Sequence, residues 1–136
     1  MTGMNSIQRL RPAGLVSSPA FSHVAIVPPG ATTIYIGGQN SVDADGALVG
    51  ADDVAAQSRR ALSNARTALE AAGATIDDVV QWTVLFVDGA DLAAAYGAIA
   101  SDLASDEPPL VTGVQVAGLG VPGSLVEIGA VAALIR

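Results

Sequence analysis

The 136-residue chain holds 6 basic and 13 acidic residues, a formal charge of −7, and neither lysine nor cysteine. Without lysine there is no amine for Schiff-base chemistry or a P-loop. Without cysteine there is no disulfide, thiol nucleophile or Cys-ligated metal, and a lone histidine, His23, excludes a multi-histidine site within one chain. The acidic balance argues against a nucleic-acid partner. Hydrophobic residues make up 51% of the chain and charged residues 14%, a lean polar cover for a monomer, so an oligomer is expected.

The length suits a single domain spanning residues 1–136. The opening MTGMNSIQRLRPAG lacks an apolar core and does not read as a signal peptide. The apolar stretches near 79–87 and 125–135 are too short to cross a bilayer. A cytoplasmic protein without membrane contact is the expectation.

In chain order, the Pro/Ser-rich segment Pro12–Pro29 reads as extended chain with turns, and His23–Val27 is a candidate short strand. Thr33–Gly37 is β-branched and aromatic and predicts a strand, followed by a turn at Asp43–Gly46. Residues 52–72 predict a helix. Val54, Ala61, Leu62, Ala65, Leu69 and Ala72 recur at helical spacing, Asp52 and Asp53 suit its N-terminus, and Gly73 its stop. Val79–Val87 reads as a buried strand and Asp91–Leu103 as a second helix, with Leu92, Ala95, Tyr96, Ile99 and Leu103 on one side. Val111–Val116 and Leu125–Leu134 complete the strands. The order β-β-α-β-α-β-β has too few helices to cover both faces of a parallel sheet, which favours an α+β fold.

Few residues suggest chemistry on their own. His23 would need an orienting partner to act as a base, and otherwise reads as a hydrogen-bonding strand histidine. Glu127 lies within an apolar strand, where a carboxylate must face solvent, pair, or have a raised pKa. It is either an outward-facing glutamate or a carboxyl poised for proton transfer in an apolar cleft. Gly37-Gly38 suggests a bulge, a tight turn, or close approach of backbone to a ligand, but G-x-G-x-x-G is absent. Arg66 and Glu70 form a weak i,i+4 pair, Arg59-Arg60 suits a solvated helix face, and Trp82 suits the core.

Taken in order, several segments resemble the Rid family, the YjgF-like proteins historically labelled L-PSP endoribonucleases. These are Phe21-Ser22-His23-Val24, Ile36-Gly37-Gly38-Gln39, Ala55-Ala56-Gln57, Leu69–Ala74, Asp77–Val80 with Thr83-Val84 and Asp88, Val114–Ala117 and Leu125–Ile128. The match runs from about residue 19 to 133. The resemblance implies a chorismate-mutase-like, YjgF-like α+β fold with two helices packed on one sheet. It further implies a homotrimer with small-molecule clefts between subunits, and no metal or cofactor.

The best-known relatives hydrolyse 2-imino or enamine acids to 2-keto acids and ammonia, gripping the substrate carboxylate with an arginine after a conserved-pattern proline. Here Pro109 is followed by Leu110 and then Val111 at the arginine's position, with Thr112 keeping a hydroxyl and Gly113 replacing a larger side chain. The resemblance implies Glu127 as the catalytic carboxylate. It implies Phe21, Ser22, His23, Gly38, Tyr96, Val111 and Thr112 as ligand-binding positions, Phe21 standing for the commoner tyrosine and Tyr96 for an asparagine. A charge partner lost at Val111 costs about 2–5 kcal/mol of carboxylate binding. The expectation is therefore a poor 2-imino acid deaminase whose cleft takes a neutral or more apolar imine, enamine or carbonyl compound. The competing readings are a non-catalytic ligand-binding or regulatory trimer and an endoribonuclease-type activity, the latter opposed by the acidic charge.

Overall fold

The computed structural model describes residues 6–136, so the first five residues of the N-terminal stretch read above lie outside it. Its strands are β1 (Gln8–Leu10), β2 (Val24–Ile26), β3 (Thr32–Gln39), β4 (Val79–Val87), β5 (Leu110–Val116) and β6 (Val126–Leu134). Its helices are α1 (Val54–Ala71), α2 (Leu92–Gly97) and α3 (Ala100–Leu103), with a single 3₁₀ turn at Ile76–Asp78.

Four strands form a mixed sheet in the order β3-β6-β4-β5, antiparallel except for the parallel β4–β5 pair. A parallel pair needs a crossover, and α2 and α3 supply it. The remaining strands, β1 and β2, pair antiparallel as a separate two-stranded ribbon. This α+β arrangement matches the expected class.

The α1 stripe is the centre of the core. Ala61, Leu62, Ala65 and Leu69 are buried against Val126, Ile128, Ala130 and Ala132 of β6 and Trp82 of β4. Alternation along β6 turns Glu127, Gly129 and Val131 to the opposite, open face of the sheet. The helix ends follow local chemistry. Asp53 caps the N-terminus, its Oδ1 accepting from Ala56 N at 3.0 Å. At the other end Gly73, at φ 79°, permits paired bonds from Gly73 N to Glu70 O and from Ala74 N to Leu69 O.

Three sequence expectations need correction. The second helix, predicted from Asp91 to Leu103, is two short helices separated at Ala98-Ile99. Gly97 is a poor helix former, and the chain tightens there through an Ile99 N to Tyr96 O bond of 3.0 Å. Strand β1 was not anticipated, because three residues are too few to show a period. Arg66 pairs across space with Asp102 at 3.8 Å instead of with Glu70, the i,i+4 order being the unfavourable one.

Candidate functional site

The two faces of the sheet present two separate recesses. On the helix face, β4, β5, α1 and the α2–α3 crossover enclose a pocket of about 210 Å³. Its walls are Leu62, Trp82, Val84, Phe86, Leu92, Ile99, Val111, Gly113 and their neighbours, and no charged side chain among the described residues lines it. Among the described residues Ser58, Tyr96 and Trp82 are the lining residues with polar side-chain atoms. Val111, 45% exposed, and Tyr96, 51% exposed, stand at the mouth. The apolar side predicted for the second helix is therefore only half core: Ala95 and Ile99 are buried, while Leu92 and Tyr96 remain open to solvent.

The open face holds a shallower recess of about 280 Å³ containing Tyr35, Gly38, Thr83, Leu85, Glu127, Gly129 and Val131. Glu127 is half-buried, paired in register with Leu85 of β4. Among the described residues no donor bonds to its carboxylate and no cation pairs with it. The register of β3 on β6 slips between Ile36 and Gln39, leaving Gly37-Gly38 as a bulge. A Cβ at Gly38 would lie 2.6 Å from Cδ and 2.9 Å from Cγ of Glu127. Glycine at 38 thus makes room for the carboxyl to lie flat over the bulged backbone.

Polar struts hold this edge of the sheet. Asn64 of α1 donates to Asn40 O (3.0 Å) and Val42 O (2.9 Å), and Asn40 donates to Ser124 Oγ at 2.9 Å. Gln57, wholly buried on α1, donates to Gly50 O (3.1 Å) and Gly123 O (3.2 Å) and accepts from Leu125 N at 2.8 Å. These bonds fix the entry to β6 two residues before Glu127. Sequence reasoning missed Gln57 and Asn64; the signal was a polar residue on the apolar side of α1, which must find partners when buried.

The residues implied by the resemblance fall into three groups. Val111 and Tyr96 face the helix-side pocket. Gly38 and Glu127 share the open face, and Thr112, in register with Thr83, turns to that same face. Phe21, Ser22 and His23 line neither recess. Phe21 and His23 stack edge to face with centroids 5.4 Å apart, and His23 Nε2 bonds to Val16 O at 2.7 Å. Ser22, 3% exposed, donates its backbone N–H to Pro109 O at 3.1 Å, while its Oγ has no partner among the described residues. One chain therefore does not bring Val111 and Glu127 together.

None of the six arginines lines either recess. Arg9 donates to Val79 O at 2.9 Å, Arg11 to Asp106 O at 2.8 Å and Arg136 to Ala72 O at 2.7 Å, while Arg60 bonds to Asn64 Oδ1 at 3.2 Å. These guanidinium groups tie segments of the chain together.

Comparison with known proteins places this geometry. The family model described as Endoribonuclease L-PSP matches residues 13–134. The Rid-family protein YyfB of Yersinia pestis is similar in structure at a TM-score of 0.81 and 31% identity, over 96% of this chain and 100% of that one. The E. coli YjgF gene product is 32% identical over 78% of this chain and 83% of its own, with a TM-score of 0.66. RidA of an Antarctic Psychrobacter is 28% identical over 93% and 94% of the two chains, at a TM-score of 0.67. The sheet, its crossover and the sequence match agree, and the chain belongs to the Rid (YjgF, endoribonuclease L-PSP) family.

Proposed function

We propose that the protein is a homotrimer that binds and hydrolytically deaminates a small imine- or enamine-bearing metabolite, or binds the related carbonyl compound, in clefts between its copies. Family membership supports a small-molecule-processing role, and members are typically oligomeric. The observation that carries the finer reading is the separation of the unpaired Glu127 carboxylate from the helix-face pocket by the thickness of the sheet. Chemistry that uses both needs one copy's open face against another copy's pocket mouth. The exposed apolar groups of the open face, Tyr35 and Val114 among them, suit such a contact.

In this reading Glu127 is the proton carrier. Water adds to the C=N carbon and its proton passes through the carboxylate to nitrogen, giving a carbinolamine. The hydroxyl proton then follows the same route as the C–N bond breaks, releasing ammonia and leaving a C=O group. Val111 stands where the resemblance implies a carboxylate-gripping arginine, so 2-imino acids are poor substrates and neutral imines better ones. The cytoplasm is the compartment proposed.

Ammonia release from freshly generated neutral and carboxylated imines tests this. Turnover should favour the neutral imines and fall about 100-fold or more in Glu127→Ala. Light scattering should give three times the chain mass. A monomer would remove the cleft, and imine turnover unaffected by Glu127→Ala would remove the carboxylate from the mechanism. Tight binding of a neutral compound without any turnover would establish the non-catalytic alternative, which the lack of any Asp, Glu, His, Lys or Arg in the helix-face pocket favours.

A further inference from the structure

We propose that the helix-face pocket receives an uncharged aromatic or branched aliphatic group of the ligand, and that Gly113 sets the size of the group admitted. This rests on the reading of the cleft given above and names the class of compound it selects. Three observations carry it.

The first is volume. The pocket holds about 210 Å³, and an apolar cavity of about 150 Å³ already accepts benzene. A ring with a short substituent, or a branched chain of similar bulk, fits.

The second is the lining. Trp82, Phe86, Leu62 and Ile99 are among the lining residues, and among the described residues no charged one lines it. A carboxylate pushed inside would lose its water and gain no counter-charge, whereas an apolar group gains contacts all round.

The third is Gly113. A Cβ there would meet only Phe86 Cε1, at 3.6 Å, an ordinary contact, and the residue's φ is not in the left-handed region. Neither backbone conformation nor crowding demands glycine at this position on β5. What its missing side chain leaves is room in the pocket beside Phe86. Larger residues at 113 would shorten the ligand group without disturbing the sheet.

The chain's single tryptophan, Trp82, lies in this pocket, so its fluorescence reports occupancy directly. The probes are benzamide and benzoate, alike in shape and different in charge. Added to the intact oligomer, benzamide should change the Trp82 emission saturably and bind roughly tenfold or more tightly than benzoate, equivalent to about 1.4 kcal/mol. Gly113→Ala should weaken benzamide severalfold and Gly113→Leu should abolish its binding, with the thermal midpoint and the oligomer mass unchanged. The pocket assignment is overturned if benzoate binds as well as benzamide, if Gly113→Leu binds benzamide like the wild type, or if a neighbouring copy's side chain fills the pocket and no probe enters. Turnover separates this from the proposed reaction. Benzamide binding that Gly113→Leu blocks, together with imine turnover indifferent to Glu127→Ala, keeps the pocket and discards the mechanism. Turnover that depends on Glu127 but shows no preference for bulky neutral imines, and no response to Gly113→Leu, keeps the mechanism and discards the pocket.

Discussion

The two faces of the β3-β6-β4-β5 sheet are finished differently. The helix face is closed by α1 and by the crossover, and where closure is incomplete it leaves an apolar pocket without a charge. Among the described residues the open face has no covering layer, yet it carries the unpaired carboxylate of Glu127 and a tyrosine, Tyr35, that is 79% exposed. A carboxylate usually sits beside solvent and a large ring usually sits under cover; here they share a surface. Under the function proposed above, shape recognition and acid–base chemistry lie on opposite sides of one layer, and a second copy is the means of joining them.

The comparison breaks most completely if the open face is kept from pairing. Tyr35→Asp sets a new charge on that face, on the edge strand β3, and the expected outcome is a monomer by light scattering with an unchanged circular-dichroism spectrum. An undiminished oligomer mass would move the contact elsewhere.

Restoring a cation on the other face sharpens it next. Val111→Arg should raise turnover of 2-imino acids by roughly 30-fold or more, the lower end of what a desolvated charge partner contributes. The half-exposed position leaves room for the side chain, and steady-state kinetics on carboxylated against neutral imines provides the check.

Gly38→Ala acts on the carboxylate without removing it. Its methyl group forces Glu127 off the bulge, and turnover should fall roughly tenfold while stability changes by less than about 1.5 kcal/mol, because a flexible side chain does the yielding. Combining it with Glu127→Ala should add nothing further.

The smallest effect belongs to Arg66→Ala, which breaks the contact with Asp102. Both partners are nearly half exposed, so urea denaturation should register a few tenths of a kcal/mol, about 0.3. A loss well beyond that would mean the crossover depends on this pair to roof the pocket.

Long periodic segments were legible from the residues. Val79–Val87 has the bounds predicted for it, and Ala61, Leu62, Ala65 and Leu69 of the α1 stripe are buried as read, with Val54 and Ala72 at its ends only partly so, because both patterns outlast the local accidents of sequence. The Gly37-Gly38 bulge was anticipated among alternatives, but not that its purpose lies in the Glu127 side chain, since the two are brought together only by the pairing of β3 with β6. Likewise Glu127 could be marked as an anomaly in an apolar strand, while the face it occupies depends on register, which shifts by one residue to the other side. Gln57 was hidden for another reason: its partners are loop and strand-entry backbone atoms, and two of the three, Gly123 and Leu125, lie 66 and 68 residues away in sequence. The break at Ala98-Ile99 follows Gly97, a poor helix former, but the apolar spacing of Leu92 to Leu103 masked it.

The parallel β4–β5 pair has a consequence for how such a protein diversifies. Because the two strands run the same way, the chain must leave the sheet between them, and the segment from residue 88 to 109 is that excursion. The cost of lengthening a connection grows only slowly with its length, so residues can be gained or lost there with the strand register intact. The roof of the pocket is thus the part of the molecule most free to be rebuilt. A lineage could exchange one ligand for another by editing a single contiguous stretch, and a designer wishing to enlarge the pocket would begin at the same place.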